Sequence, residues 1–469
     1  MNNYKYLAKN VGVLTISNFA TKILGFFLVP LYTNVLSTTE YGIYNLFNTT
    51  IFLLVPLLTL NIQDATARFS MDEQYSKKEV LSYSFSIFLK GFFILILFSI
   101  LCFKLDIFPT FNEYIVEFIL MYIFQALSGI MVSFARGCGR MITISISSVV
   151  SSTIFILLNI LFLVYLKWGL LGYFIASIVS SIAQVVYITI DIKFWKYTAI
   201  SWNKNLSKEM KNYSTPLIAN SLSWWVSSSS DSYIVTWLCG TAENGIYSVA
   251  SKIPSILDIL QTVFTQAWSL SAVKNFDAKD QNNFFSNLYG AYNCLMILAC
   301  SFLILLDKVI AHILYSKDFY VAWKCVPFLL ISVVFGALSG YLGGIFTALK
   351  RADLFAKSTI FGAIANIIMN FILIPKWGAV GASIATAISY IMVWGIRFSS
   401  VKKYLAIKVN ISRDIFAYFV LTMQAILILI IANNQLVFLI ELILFVFLCL
   451  IYHKEILKWL HGLNTLIIR

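Results

Sequence analysis

Charge is scarce in this 469-residue chain: Asp, Glu, Lys and Arg make up 12% of it, against 60% for hydrophobic residue types. A soluble domain carries about 25% charged residues and about 45–50% apolar ones. So few charges cannot cover the surface of the roughly three soluble domains that this length would otherwise suggest. Histidine is scarcer still, with only His312, His453 and His461, too few and too scattered for a metal cluster or a His-based triad. The seven cysteines (Cys102, Cys138, Cys239, Cys294, Cys300, Cys325 and Cys449) show neither CxxC nor paired spacing. That excludes a disulfide framework or a zinc site on pattern. No Gly-Lys dipeptide occurs, so the phosphate-cradling P-loop is missing. No cofactor and no metal are expected.

What the chain does have is long apolar runs. A helix needs about 20 apolar residues to cross the hydrocarbon core, and breaks at charge and turn clusters divide the sequence into fourteen such spans. The first is 11–32, and the later ones include 41–62, 213–238, 245–267, 354–374, 378–396 and 435–452. The expectation is an all-α polytopic membrane protein. The first run is read as a span and not as a cleavable leader, because it is too long and no small-x-small cleavage site follows it. Most of the 34 Lys and Arg fall in segments on the same side as both termini, so both termini are expected in the cytoplasm. The net charge of +13 then reads as attraction to an anionic inner leaflet, with no nucleic-acid partner implied.

The chain also repeats itself. Lys167-Trp168-Gly169-Leu170-Leu171-Gly172 recurs as Lys376-Trp377-Gly378-Ala379-Val380-Gly381. Arg140 and Asn159 pair with Arg351 and Asn370, and Glu40-Tyr41-Gly42-Ile43-Tyr44 with Glu243-Asn244-Gly245-Ile246-Tyr247. The three markers keep their order at nearly one offset. Six spans therefore repeat as six more. An even number makes the repeat parallel, with two pseudo-symmetric six-helix lobes and two appended helices, as in rocking transporters. The expected organisation is a lobe at 1–190, a cytoplasmic linker at 191–212, a second lobe at 213–397, and two further helices with a tail at 398–469.

Polar residues inside spans are costly and tend to mark function. Thr15, Asn18, Lys22 and Gly25 share a face of span 1, while Ser82, Ser86 and Lys90 share one of span 3. Asn220, Trp224, Ser227 and Asp231 form a stripe on span 7, and span 8 carries Lys252 and Asp258 on two faces. The first six spans hold no deep acid to neutralise Lys22 and Lys90, which points to a visiting anion, with snorkelling as the alternative. Asp231 and Lys252 lie at similar depth beside one hairpin and read as a structural ion pair. Asp258 reads either as a coupling-ion site or as a protonated carboxyl held by a neighbour. Glu441, near the outer end of an appended span, reads as able to reach lipid headgroups.

These residues carry a resemblance. Pro30-Leu31-Tyr32-Thr33-Asn34, Glu40-Tyr41-Gly42-Ile43-Tyr44, the Asp231 stretch, Gly245-Ile246-Tyr247-Ser248, Ala250-Ser251-Lys252-Ile253-Pro254 and Lys376-Trp377-Gly378 with Gly381-Ala382-Ser383 resemble the polysaccharide-biosynthesis flippases, the Wzx-type oligosaccharide flippases of the MOP (MATE-like) superfamily. The family usually has a basic residue after the span-7 aspartate, where this chain has Ser232. The resemblance implies a transporter, not an enzyme, of the bacterial cytoplasmic (inner) membrane. Its cargo would be undecaprenyl-pyrophosphate-linked oligosaccharide repeat units for O-antigen or capsule, moved from the inner to the outer leaflet by alternating access. It also implies H+ or Na+ as coupling ion and association with polysaccharide polymerase machinery. Lys22 and Lys252 fall on the two spans where related lipid-linked sugar flippases place cavity cations. Lys22, Lys90, Lys252, Asn18, Asn220 and Trp224 are the expected cargo residues, with Asp231 and Asp258 for ion coupling or a structural pair. A lipid II flippase, a MATE-type ion-coupled multidrug exporter and, last, a membrane polysaccharide polymerase are the rival readings.

Overall fold

A computed structural model describes residues 19–106, 109–197, 203–274, 280–281, 283–349 and 351–457; among these, helix dominates and there is no strand. The helices are α1 (Phe19–Val35), α2 (Thr38–Leu58), α3 (Ile62–Ser70), α4 (Lys77–Leu105), α5 (Ile115–Gly137), α6 (Met141–Asn159), α7 (Gly169–Ile192), α8 (Lys204–Ser214), α9 (Leu217–Cys239), α10 (Thr241–Ala250), α11 (Pro254–Lys274), α12 (Phe284–Leu314), α13 (Val326–Ala348), α14 (Ala352–Val401), α15 (Ile411–Ile430) and α16 (Asn434–Ile451). Helix is the natural solution in lipid, because it satisfies every backbone polar group within the segment.

Ten of these helices are long and apolar enough to span a bilayer, against fourteen expected spans. Four causes account for the difference. Helix α14, 50 residues long, is two rods joined at Gly378, whose φ of 54° and ψ of −133° are not helical, and it covers both 354–374 and 378–396. Helix α9 is 23 residues long but carries a run of serines from Ser227 to Ser230 that dilutes its apolar character. The expected span 245–267 is broken between α10 and α11, where Pro254 starts a new helix. The first expected span begins outside the described residues, so only its later part, α1, is described.

The chain divides into two compact units, 1–230 and 231–469, with the division falling inside α9. The core of the N-terminal unit gathers Phe47 and Ile51 of α2, Phe118, Tyr122 and Phe134 of α5, and Phe174 of α7. Segment 191–212 is more than a linker. Asn203 caps α8 by accepting from the Asn205 and Leu206 amides at 3.0 and 3.2 Å. One face of that helix buries Leu206 and Met210 in the same core, while Lys204, Lys208 and Lys211 stay exposed. Tyr75 donates to the Glu209 carboxylate of α8, which holds the phenol proton and raises its pKa.

In the C-terminal unit α13 is the most enclosed span. Trp268 stacks on Tyr341 at 4.3 Å and donates its indole N–H to the Tyr341 carbonyl at 2.8 Å. Arg397, the residue just past the expected span 378–396, is buried. Its guanidinium donates to the Ser339 carbonyl at 2.8 Å, Ser358 Oγ at 2.9 Å and Thr359 Oγ1 at 2.8 Å, and lies 4.2 Å from the Phe355 ring. Glu441 is also buried, so it does not reach headgroups.

The repeat markers meet in space within each unit. Gly169 and Gly378 both adopt left-handed φ, at 55° and 54°. Glu40 lies against the first and Glu243 against the second: a Cβ would sit 3.2 Å from Glu40 Oε1 at Gly169, and 2.4 Å from Glu243 Oε1 at Gly378. Glu243 Oε1 also accepts from the Ala379 N–H at 2.8 Å, so it satisfies the backbone where α14 breaks. Glu40 instead closes a capping box with Ser37 at the start of α2.

Candidate functional site

The N-terminal unit contains a cavity of about 840 Å³. Helix α2 contributes Asn48, Phe52, Val55 and Pro56, and the break into α3 contributes Asn61 and Gln63. Helix α5 adds Gln125, Ser128 and Gly129; α7 adds Ser177, Ser181 and Gln184; the first half of α9 adds Asn220, Ser221, Trp224, Trp225, Ser228 and Ser229. The lining thus mixes amides, hydroxyls and two indoles with an apolar patch of Phe52, Val55 and Pro56, and none of these residues is ionisable.

Local bonds fix this surface. Asn61, at a positive φ of 51° between α2 and α3, donates to Asp64 at 2.7 Å. Ser128 donates to Gln184 Oε1 at 2.7 Å, and Gln184 Nε2 reaches Ser148 at 3.4 Å, tying α5, α7 and α6 together. Gly129 lets the Gln63 side chain approach, since a Cβ there would lie 2.3 Å from its Nε2. Trp225 donates its N–H to the Thr49 carbonyl of α2 at 2.8 Å. That bond seats the first half of α9 on the N-terminal unit. Trp224 is 68% exposed, which leaves its indole face open to a ligand.

The expected cargo residues are distributed unevenly. Asn220 and Trp224 line the cavity. Asn18 lies outside the described residues. Lys22 is exposed on α1 and is not part of this lining. Lys90 is exposed on the α4 stripe that also carries Leu89, Phe93, Ile94 and Leu97, all open. Such a stripe suits lipid contact, and Lys90 is not part of this cavity lining. Lys252 is half-buried at the α10–α11 break in the C-terminal unit, and Asp258 is half-buried one turn into α11. The expected positive lining is therefore absent from this cavity.

Asp231 is buried, and no ion pair between it and Lys252 is found among the described residues. Its Oδ1 accepts from Asn370 Nδ2 at 2.5 Å, and its Oδ2 from the Tyr247 hydroxyl and Thr386 Oγ1, both at 2.8 Å. Asn370 also donates to Asn366 Oδ1 at 3.1 Å, and Asn366 reaches Thr386 at 3.4 Å. Hydrogen bonds to a charged acceptor are the strong ones; three neutral donors take the place of a counter-cation.

Sequence reasoning sought charges and so passed over Asn48, Asn61, Gln63, Gln125 and Gln184. The available signal was the amides: Gln125 and Gln184 stand inside long apolar runs, where an amide is also costly to bury without a partner.

Comparisons with known proteins agree with this architecture. A family model described as "Polysaccharide biosynthesis protein" matches residues 7–270. The probable low-salt glycan biosynthesis flippase Agl15 of Haloferax volcanii is 24% identical over 212 residues, 44% of this chain and 44% of that one. The uncharacterized membrane protein MJ1068 of Methanocaldococcus jannaschii is 30% identical over 86 residues, 18% of this chain and 17% of that one. The chain thus spans less than half the length of these relatives. Among solved structures, the lipid II flippase MurJ in an inward closed conformation superposes with a TM-score of 0.69 at 16% identity, over 95% of this chain and 99% of that one. An inward-facing multidrug resistance MATE transporter of the MOP superfamily gives 0.63 at 14% identity, over 83% and 96%. The fold is MurJ- and MATE-like, and the chain is a multi-pass membrane protein.

Proposed function

This chain belongs to the polysaccharide biosynthesis protein family, and from that premise we propose that it is a flippase, not an enzyme, for lipid-linked oligosaccharide. The cargo is an undecaprenyl-pyrophosphate-linked repeat unit. It moves from the inner to the outer leaflet of a bacterial cytoplasmic membrane by alternating exposure of the cavity, with both termini cytoplasmic, to feed O-antigen or capsule assembly and its polymerase machinery.

The observation that carries this reading is the neutral polar cavity. A sugar head offers hydroxyls that donate and accept, and apolar C–H faces. Amides such as Gln63, Gln125 and Asn220 and hydroxyls such as Ser177 match the first, and the open face of Trp224 matches the second. An organic cation would call for a carboxylate in the lining, which has none; the drug-exporter reading loses support there. The lipid tail need not leave the hydrocarbon. Its pyrophosphate faces an idealised desolvation cost of order 20 kcal/mol per ion if it crosses unshielded. Lys22 and Lys252 are the cations assigned to that group, as compact charges suited to phosphate. Asp231, on its ring of neutral donors, is the assigned site for the coupling ion, H+ or Na+, with Asp258 as a half-buried second carboxyl.

The test is reconstitution of the purified protein into vesicles loaded on one leaflet with undecaprenyl-pyrophosphate oligosaccharide, in parallel with lipid II. Lectin access on the opposite side reports translocation. Faster access for the oligosaccharide than in protein-free vesicles is expected. Acceleration of lipid II alone would replace the cargo, and no acceleration of either would defeat the proposal.

A further inference from the structure

Three helices of the C-terminal unit, α12, α15 and α16, pack against one another, and among the polar side chains they bury are one acid or amide from each at a common depth. Asp307 of α12 and Gln424 of α15 are 0% exposed, and Glu441 of α16 is 1% exposed. Both carboxyl oxygens of Asp307, both of Glu441, and the amide nitrogen and oxygen of Gln424 lack a well-formed hydrogen bond among the described residues. The three belong to one cluster: the Glu441 carboxyl lies near enough to interact with both Asp307 and Gln424.

They also share a depth. Asp307 precedes the end of α12 at Leu314, Gln424 precedes the end of α15 at Ile430, and Glu441 follows the start of α16 at Asn434, each by six or seven residues. At a rise of about 1.5 Å per residue, each lies about 10 Å below its helix end. Those ends are gathered at the α15–α16 hairpin, where Lys308 donates to Asn434 at 3.1 Å. The same ammonium lies 4.6 Å from the Trp323 ring. The neighbouring cation is thus engaged toward the hairpin. Among the described residues, the Cys325 thiol also faces Asp307.

Two bare carboxylates in this setting would each carry a desolvation penalty of several kcal/mol and repel one another. Two carboxylic acids and an amide are neutral. Each acid then brings an O–H donor, and the amide brings two N–H, to a cluster otherwise made of acceptors. We propose that Asp307, Glu441 and Gln424 form a proton-binding site. Both carboxyls carry protons while the three helices close over them, and release is to water entering from the hairpin side. The site is separate from the cavity of the N-terminal unit and from Asp231, and it does not depend on what the cargo is.

The test uses the full-length protein in proteoliposomes and infrared difference spectroscopy as pH is raised. A carbonyl stretch of protonated carboxyl is expected to fade with rising pH, to weaken in Asp307→Asn and in Glu441→Gln, and to lose that contribution in the double variant. These amides keep the shape of the protonated acids. A spectrum of the native protein matching the double variant throughout overturns the proposal, as does a band moved by added Na+ at fixed pH. A hydrophobic carbodiimide, which attacks protonated carboxyls in apolar surroundings, needs no variant. Labelling of the peptides holding Asp307 or Glu441 that declines as pH rises supports the site. Labelling confined to other peptides at low pH rejects it. Neither readout involves glycan movement, so failure of the flippase reading leaves this test intact.

Discussion

Replacing Gly378 by alanine tests whether the duplicated Lys-Trp-Gly marker is a structural hinge. Two costs follow from the geometry. A non-glycine residue at φ of 54° pays about 1–2 kcal/mol of backbone strain. The added Cβ would also lie 2.4 Å from Glu243 Oε1, which must withdraw from the Ala379 N–H it holds at 2.8 Å. A hydrogen bond to a charged group contributes about 1.5–3 kcal/mol. Gly378→Ala should therefore cost about 3–5 kcal/mol in all. Glu243→Ala alone forfeits only the hydrogen bond, about 1.5–3 kcal/mol. In the double variant the clash is gone and the bond is already lost, so the total should stay near that of Gly378→Ala, sub-additive by about 2 kcal/mol. Thermal unfolding of the purified variants in one detergent measures this: the double variant should melt with Gly378→Ala and not a further step below it. Additive decrements would refute the hinge, and so would a Gly378→Ala protein that melts like the parent.

Three further outcomes follow from the sites described. Trp224→Ala combined with Asn220→Ala removes an open indole and an amide from the cavity lining; oligosaccharide movement should fall at least tenfold, about 1.4 kcal/mol, while membrane yield and melting stay near the parent. Lys22→Ala should slow translocation in the vesicle assay and Lys90→Ala should not, because Lys90 shares its face with exposed Phe93, Ile94 and Leu97. Arg397→Lys cannot reproduce a planar fork that reaches Ser339, Ser358 and Thr359 together; a loss of about 3 kcal/mol, read as a lowered melting point, is expected from losing two of the three bonds at about 1.5 kcal/mol each.

Much of the fold was legible because the bilayer imposes one length and one element type. The repeat was legible for a more specific reason. Glycines that must adopt left-handed φ, and the glutamates lying against them, cannot drift freely, so Glu40 and Gly169 recur in the same order as Glu243 and Gly378. The site was less legible. Spacing along a helix says which residues share a face, and it does not say which way the face turns. Ser82, Ser86 and Lys90 share a stripe, yet its continuation through Phe93 and Leu97 is the open apolar side of α4. Partners far apart in sequence were equally hidden: Asp231 meets Asn370 across 139 positions, and nothing local distinguishes that from a pair with Lys252. Glu441 stood near a helix end and read as solvated, but it turns inward toward Gln424.

The two halves of the duplication have diverged at one buried position, and that divergence makes a prediction. At the offset that aligns Ser37 with Gly240 as the residues preceding α2 and α10, Asp231 corresponds to Leu28, which is also buried. In the N-terminal unit the matching groups make do without a carboxylate: Tyr44 donates to Ser177 at 3.4 Å, and Asn159 turns to the Phe155 carbonyl at 2.7 Å. In the C-terminal unit the corresponding Tyr247, Thr386 and Asn370 all converge on Asp231. Asp231→Leu restores the apolar version, and the stranded donors have precedent for other acceptors; Asn370 already reaches Asn366 at 3.1 Å. The cost should thus be about 1–2 kcal/mol, short of the 3–5 kcal/mol typical when a buried ion pair loses one partner. If the carboxylate couples an ion to translocation, the variant should insert and melt almost normally, while its glycan movement no longer responds to a proton or Na+ gradient. A variant that moves glycan with the parent's ion dependence would reduce Asp231 to a structural post. One that fails to insert would show that the second half can no longer fold around the residue the first half kept.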